Sequence, residues 1–180
     1  YEKQIIYAAR LSEEKGILDV LEISKKLSSD THLIILGDGP ERKNVEEYIK
    51  KIQNIHYLGP KNKEETISLI RGSDILIQPS LMEGGISYTL LESLACKTPI
   101  ICTSVGGGKE FFIHMKNSYL VEPHDHTSML DGINTLMTNS KIYESLCSLG
   151  YESVQKFSWS QIGLEYIKIY EKLLSSNKEK

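Results

Sequence analysis

The chain alternates between short apolar runs rich in β-branched residues and longer segments with helical periodicity. The apolar runs lie at 4–8, 32–36, 54–58, 74–78, 99–103 and 118–121. Several of them are almost continuously apolar, which is typical of strands buried on both faces of a parallel sheet. Strands that alternate with helices favour a doubly wound, Rossmann-like α/β fold, here with about six parallel strands and right-handed crossovers.

Helical periodicity in the other segments supports this fold class. Apolar residues share one face in each of three segments: Ile17, Val20, Leu21 and Leu27, then Val45, Tyr48, Ile49 and Ile52, then Ile67, Leu69 and Ile70. Pro40 predicts the first turn of the second helix, where a missing N–H breaks no hydrogen bond. After the last strand, two further apolar faces make the chain all-helical: Met129, Leu130, Ile133, Leu136 and Met137, then Ile162, Tyr166, Ile169, Tyr170 and Leu173. We expect one domain over residues 1–174 and a polar tail over 175–180.

Composition narrows the functional class. The chain has 180 residues, with 21 Lys plus Arg against 24 Asp plus Glu, so its formal net charge is −3. A nucleic-acid-binding domain should carry a clear basic excess, and we therefore expect no nucleic-acid partner. No apolar stretch approaches the roughly 18 residues that span a bilayer, and no secretory signal is visible.

The cysteines and histidines predict neither a disulfide framework nor a metal centre. Cys96, Cys102 and Cys147 form no CxxC motif and are odd in number, which favours a reducing, cytoplasmic location. His124 and His126 lie in a polar turn and are interpreted as solvated loop residues. We therefore expect no metal ligands in this chain.

The loops that follow the predicted strands are the place to search for a ligand. In an open parallel sheet, the binding crevice lies beyond the carboxyl ends of the strands. The loop after the first strand carries Arg10 and Lys15, and glycine-rich turns follow three other strands, at 37–40, 79–85 and 105–110. Such glycines let a ligand approach the backbone, and the helix starts behind them offer free N–H groups. Together with the two cations, they indicate an anion site, with a diphosphate as the best candidate.

The motifs and their order resemble the C-terminal nucleotide-sugar-binding domain of GT-B glycosyltransferases, the retaining enzymes called group one or family four. The likeness is densest in four consecutive motifs: PSLMEGG at 79–85, LLESLAC at 90–96, TPII at 98–101 and VGGGKE at 105–110. It extends to both sides, through 9–16, 36–40, 57–59, 117–123 and 157–159. The resemblance implies the same fold, and it implies that the chain is one half of a GT-B enzyme.

The resemblance also implies how the donor diphosphate is held. Arg10 and Lys15 match the family's phosphate-binding pair, which would stabilise the charge on a departing nucleoside diphosphate. Gly84 and Gly85 match positions that offer backbone N–H groups at a helix start.

The rest of the donor would meet three more side chains that match the family. Glu92 matches the carboxylate that accepts hydrogen bonds from the ribose hydroxyls, and Lys61 lies in the loop that approaches the base. Glu83 would contact the donor sugar or its phosphate region. Glu83, Arg10 and Lys15 are therefore the candidate catalytic residues.

The chain departs from the family pattern at a few positions. Eight residues separate Glu83 from Glu92, one more than in the family. Either the turn is one residue longer, or Gly84 occupies the first-glutamate position and Glu83 is displaced. In addition, Ala9 and Lys97 stand where the family has glycine.

The implied reaction is retaining transfer of a hexosyl group from a UDP-, GDP- or ADP-sugar to an acceptor, with no metal ion or other cofactor. The implied partners are that nucleotide sugar and an N-terminal acceptor-binding domain, through which the enzyme could associate peripherally with a membrane. Without that domain, the chain should bind donor but transfer no sugar. Two alternatives stay open: half of a nucleotide-sugar epimerase, which would isomerise donor alone, and a non-catalytic nucleotide-binding or interaction domain.

Overall fold

The computed structural model of the protein describes residues 2–50 and 52–176. Its six strands are β1 (Lys3–Ala8), β2 (Thr31–Leu36), β3 (Ile55–Gly59), β4 (Ile75–Gln78), β5 (Ile100–Thr103) and β6 (Tyr119–Val121). The α-helices of this part of the chain are α1 (Ile17–Ser24), α2 (Arg42–Ile49), α3 (Lys63–Arg71), α4 (Tyr88–Ala95), α5 (His126–Thr138), α6 (Ser140–Val154) and α7 (Trp159–Ser176). Short 3-10 turns lie at Glu13–Lys15, Gly106–Glu110 and Gln155–Phe157.

The strands form one parallel sheet in the order β3-β2-β1-β4-β5-β6. This arrangement confirms the predicted doubly wound α/β fold, and each strand falls on one of the predicted apolar runs. The chain first builds outward from β1 to β3 and then crosses back to β4, so the strand order reverses between β1 and β4. At such a switch point the two following connections leave on opposite faces of the sheet, which opens a crevice between them.

Each face of the sheet has its own apolar core, because successive strand side chains point to opposite sides. Ile5 and Tyr7 of β1 pack with α1, α2 and α5 on one face. Ile6 and Ala8 pack with α3 and α4 on the other. Burial of the central strands on both faces is the reason that their sequences are almost continuously apolar.

Three helix boundaries differ from the predicted ones, and one of them is the end of α2 at Ile49, before the predicted face residue Ile52. The first helix ends at Ser24, and Leu27 follows in a turn while still packing against the core. The second helix begins at Arg42, so the prediction that Pro40 lies in its first turn is wrong. The Glu41 N–H donates to the Leu11 carbonyl at 2.9 Å, which keeps this segment in a turn against the loop after β1.

Helix α7 forms on the terminal segment whose periodicity predicts an apolar helix face. Its apolar side chains are largely exposed among the described residues: Tyr166, Ile167, Ile169, Tyr170, Leu173 and Leu174. The helix continues through Ser176, so the predicted polar tail over 175–180 begins inside it. The remainder of that tail, 177–180, lies outside the described residues.

Lys97 has the backbone conformation that a glycine would adopt most easily. It follows the end of α4 with a φ of 61°, in the left-handed region. Its ammonium lies 5.0 Å from the centre of the Tyr151 ring. A glycine at this position would adopt the same conformation with less strain.

The three cysteines form no disulfide in the part of the chain that the structure describes. Cys96, Cys102 and Cys147 are free thiols, and Cys102 is buried in the sheet, where desolvation raises its pKa. Among the described residues, no helix is both long enough and apolar enough to cross a membrane.

Two glycines allow the loops at the carboxyl edge to touch through their backbones. Gly16 precedes α1 with a φ of 72°, and a Cβ there would lie 2.0 Å from the Pro79 carbonyl oxygen. Gly106 follows β5, and a Cβ there would lie 1.8 Å from the Glu83 carbonyl oxygen. Neither position has room for a side chain, so these glycines set how closely the loops approach.

We expect Gly16→Ala to destabilise the chain more than Gly59→Ala. The φ values are nearly equal, 72° and 71°, but a Cβ at Gly59 would meet no atom within 4 Å. Both variants should therefore carry the left-handed strain of about 1–2 kcal/mol. Gly16→Ala should add about 1–3 kcal/mol from steric overlap. Urea unfolding of the two variants measures the difference, and equal losses would mean that the loops can separate without cost.

Candidate functional site

The loop between β1 and α1 is the centre of the carboxyl edge of the sheet. The Leu11 N–H donates to the Asp38 carbonyl at 3.0 Å, which joins it to the loop after β2. The Leu81 N–H donates to the Glu14 carbonyl at 2.8 Å, which joins it to the loop after β4. The predicted ligand loops therefore converge, with the loop that carries Arg10 and Lys15 between the others.

Tyr7, a buried residue of β1, holds this central loop from below. Its single O–H is shared between the carbonyls of Arg10 and Lys15, whose oxygens lie 3.2 and 3.1 Å from the hydroxyl oxygen. Burial raises the pKa of Tyr7 far above its usual value, and the nearby Glu83 carboxylate raises it further. The phenol therefore stays protonated and remains a donor. Sequence reasoning missed Tyr7, since a tyrosine in an apolar strand resembles an ordinary core residue.

Lys15 and Glu83 face each other across the crevice. The Lys15 ammonium lies 2.6 Å from Glu83 Oε2. The other carboxylate oxygen, Oε1, accepts hydrogen bonds from the Ser80 hydroxyl at 2.8 Å and the Gln78 amide at 2.9 Å. The Glu83 side chain is only 12% exposed. The structure thus directs the Glu83 side chain inward, toward Lys15, Ser80 and Gln78.

The turn that contains Gly84 and Gly85 leads to the start of α4. Both glycines are exposed, and a Cβ on either would point into open space. Ser87 is the N-cap of α4, but its side chain makes no capping hydrogen bond to the helix. The first-turn N–H groups thus lack a side-chain acceptor, and the positive end of the helix dipole lies beside the open turn.

Glu92 lies on the second turn of α4 and is half-buried. Its Oε1 is 3.4 Å from the ammonium of Lys63, at the start of α3. Glu92 also borders a cavity of about 780 Å³ between α4 and residues 154–162, which is lined mainly by apolar side chains. Neither the ion pair with Lys63 nor this cavity was predicted from the sequence.

Arg10 and Lys61 line a second, smaller cavity. It measures about 230 Å³ and lies at the carboxyl ends of β1 and β2. Lys61 is 4.0 Å from Glu65, whereas the exposed Arg10 guanidinium forms no ion pair with any residue in the described ranges. The structure thus divides the predicted cations between two places: Lys15 beside Glu83, and Arg10 with Lys61.

The two histidines of the β6–α5 loop were predicted to be solvated, but both contact Asp19. His126 Nε2 lies 2.7 Å from Asp19 Oδ1, and His124 Nδ1 lies 3.1 Å from Asp19 Oδ2. Asp19 is a buried residue of α1, so these contacts join the loop to that helix. Within residues 2–50 and 52–176, no group of three or more His, Cys, Asp or Glu side chains could hold a metal ion.

Known glycosyltransferases resemble this chain in sequence and in fold. The family model described as "Glycosyl transferases group 1" matches residues 1–152. An uncharacterized glycosyltransferase of Methanocaldococcus jannaschii is 29% identical over 170 residues, which cover 93% of this chain and 48% of that protein. The chain spans about half the length of the curated relatives it matches.

Two solved structures share the fold. The C-terminal domain of a group 1 glycosyl transferase family protein, LpcC from Francisella tularensis, superposes with a TM-score of 0.75 at 26% identity, over 86% of this chain and 85% of that one. Anabaena HepE in complex with UDP-glucose superposes with a TM-score of 0.82 at 19% identity, over 96% of this chain and 48% of that one.

We expect Tyr7→Phe to loosen the loop between β1 and α1. Loss of the hydroxyl leaves two carbonyls without their donor, which should cost about 1–3 kcal/mol of unfolding free energy. The amides of Lys15 and Gly16, which donate within the loop at 3.0 and 2.8 Å, should then exchange their hydrogens faster. Denaturant unfolding and hydrogen exchange measure the two effects.

Tyr48→Phe is the matched control for this prediction. The Tyr48 hydroxyl donates at 2.7 Å to the Leu21 carbonyl, on the α1–α2 side of the sheet. That variant should lose comparable stability but leave Lys15 and Gly16 protected relative to the rest of the chain. Equal exchange of these two amides in both variants would show that Tyr7 does not organise the loop.

Proposed function

Because the chain belongs to the group 1 glycosyl transferase family, we propose that its crevice binds the nucleoside diphosphate sugar donor of a sugar transfer. One observation carries this proposal: Lys15 and Glu83 meet at the switch point between β1 and β4, beside the open glycine turn that precedes α4. A cation, exposed backbone and an uncapped helix start together form a site suited to a diphosphate. The UDP-glucose in the HepE structure supports a donor of this chemical class.

The diphosphate would take over part of the charge compensation that Glu83 now provides for Lys15. Lys15 already has a partner in Glu83, whereas Arg10 is unpaired among the described residues and free to meet phosphate oxygens. N–H groups at Gly84, Gly85 and the start of α4 would add neutral donors. As the bond from the sugar to the diphosphate breaks, these groups would stabilise the negative charge that develops on the leaving group.

The other parts of the donor would meet the remaining predicted residues. The Glu92 carboxylate can accept hydrogen bonds from two neighbouring ribose hydroxyls, with Lys63 holding its other side. Lys61 borders the smaller cavity with Arg10, where a base could lie. Glu83 would face the transferred sugar. In this arrangement, fixed cations perform the charge stabilisation that a metal ion would otherwise supply, and we propose that no metal is needed.

The complete reaction would need a second domain. The chain spans about half of its relatives' length, and it superposes on a solved C-terminal domain, which supports an acceptor-binding domain elsewhere in the enzyme. We propose that the enzyme transfers a hexosyl group with retention and that this chain alone binds donor without transferring it. The three free thiols fit a reducing compartment such as the cytoplasm.

Calorimetry with UDP, GDP and ADP tests the proposed site through Glu92→Gln. If Glu92 binds the ribose diol, the variant should lose about 1–2 kcal/mol of binding free energy for the nucleoside diphosphate that the wild type prefers, or roughly five- to thirtyfold in Kd. Its affinity for inorganic pyrophosphate should not change, because pyrophosphate has no ribose.

Glu22→Gln is the control, since Glu22 also loses an ion pair, with Lys25 at 2.6 Å, but lies at the far end of α1. It should bind every ligand as the wild type does. All titrations are repeated with EDTA, which should leave the affinities unchanged. A Glu92→Gln variant that folds normally and binds the nucleoside diphosphate with wild-type affinity would refute the ribose role, and binding abolished by EDTA would refute a metal-free site.

A further inference from the structure

Gln78 is a buried polar residue at the carboxyl end of an otherwise apolar strand. The strand β4 reads Ile-Leu-Ile-Gln, and Gln78 is only 2% exposed. Buried amides are kept in proteins where their hydrogen bonds are satisfied, because an unsatisfied one costs free energy. The partners of this amide therefore show what it does.

The Gln78 side chain joins the two ends of the turn between Glu83 and α4. Its Nε2 donates to Glu83 Oε1 at 2.9 Å and to the Ser80 hydroxyl at 3.1 Å. Its Oε1 accepts from the Ser87 hydroxyl at 3.1 Å. Glu83 begins the turn and Ser87 ends it as the N-cap of α4. One buried amide thus holds both ends, and we name this set of contacts the Gln78 bridge.

The orientation of the amide follows from its partners. A carboxylate can only accept hydrogen bonds, so the NH₂ group must face Glu83. The carbonyl oxygen then faces Ser87, whose hydroxyl serves as its donor. This explains why Ser87 does not cap α4 with its side chain.

Lys15 and the Ser80 hydroxyl also contact the Glu83 carboxylate, but the turn that follows Glu83 offers little restraint of its own. Gly84 and Gly85 have no side chains, are exposed, and have open space where a Cβ would lie. Glycine gives the backbone of such a turn more conformational freedom than other residues do. The Gln78 bridge counteracts that freedom by fixing both ends of the turn to β4.

We propose that Gln78 is a positioning residue that holds Glu83 toward the donor sugar, and that it thereby affects recognition of the sugar but not of the nucleotide. This proposal rests on the proposed function of the crevice. It separates two groups of residues: Arg10, Lys15 and Glu92 would hold the nucleotide, whereas the Gln78 bridge would act only through Glu83.

The test compares Gln78→Met with wild type in two measurements. Methionine has nearly the same length and volume but cannot form the bridge. The first measurement is ¹⁵N relaxation of the free chain, in which the order parameters of residues 84–87 should fall. The second is calorimetry with UDP-glucose, GDP-mannose and ADP-glucose, each beside its free nucleoside diphosphate. Binding of the preferred nucleotide sugar should weaken at least fivefold, while its nucleoside diphosphate stays within twofold.

A double-mutant cycle separates positioning from general damage to the fold. If Gln78 acts through Glu83, Gln78→Met should have almost no further effect on nucleotide-sugar affinity in a Glu83→Gln background. Thr103→Val is the structural control, since Thr103 is also a buried polar residue at a strand end and donates to the Ser80 carbonyl. It should lower stability without changing the ratio of the two affinities. Ser87→Ala removes the end of the bridge at α4 and serves if Gln78→Met does not fold.

The results distinguish failure of the positioning role from failure of the proposed function. Equal weakening of both ligands, or an undiminished effect in the Glu83→Gln background, would overturn the positioning role and make Gln78 a structural residue. If the wild type binds none of the ligands, the proposed function fails, and the relaxation measurement alone decides on the bridge. Unchanged order parameters at 84–87 in Gln78→Met and Ser87→Ala would then overturn it.

Discussion

Close contact between loop backbones at the carboxyl edge of the sheet is the constraint on which the candidate site depends. Gly16 lies against the Pro79 carbonyl, and Gly106 lies against the Glu83 carbonyl, with no space for a Cβ at either place. These contacts bring the loops after β1, β4 and β5 together at the switch point of the sheet. Lys15 can reach Glu83 only because its loop lies against the loop after β4. The contact between Lys15 and Glu83 therefore depends on glycine at positions 16 and 106.

Periodicity and loop position predict much of this arrangement from the sequence. The apolar runs locate the six strands, and the rule that ligands bind beyond their carboxyl ends places Arg10, Lys15 and Glu83 at one edge. The sequence does not predict the hydrogen bonds between residues that lie far apart along the chain. The Tyr7 hydroxyl, the Gln78 amide and the contact of Asp19 with His126 depend on the direction of single side chains within a packed interior. No local pattern encodes such directions. The sequence also predicts the apolar face of α7, but not its exposure, because periodicity shows that a face is apolar and not what covers it.

The two predicted phosphate-binding cations have different electrostatic surroundings. Lys15 is paired with a largely buried carboxylate, so a diphosphate would have to share or displace that partner. Arg10 is exposed and borders a small cavity with Lys61, without an ion pair in the described part of the chain. Arg10 should therefore supply attraction to an approaching anion, whereas the Lys15 ammonium already lies beside a carboxylate.

The central claim is that a nucleoside diphosphate binds between the loops at the carboxyl edge, and amide chemical-shift mapping tests it most directly. ¹H–¹⁵N spectra of the chain would be recorded while UDP, GDP or ADP is added. We expect saturable shifts confined to 10–16, to the loop around Lys61 and to 84–92, with the largest in the turn before α4. Saturable shifts centred on the opposite edge of the sheet, near Lys3 and Lys26, would contradict the account, as would the absence of a saturable shift with all three nucleotides.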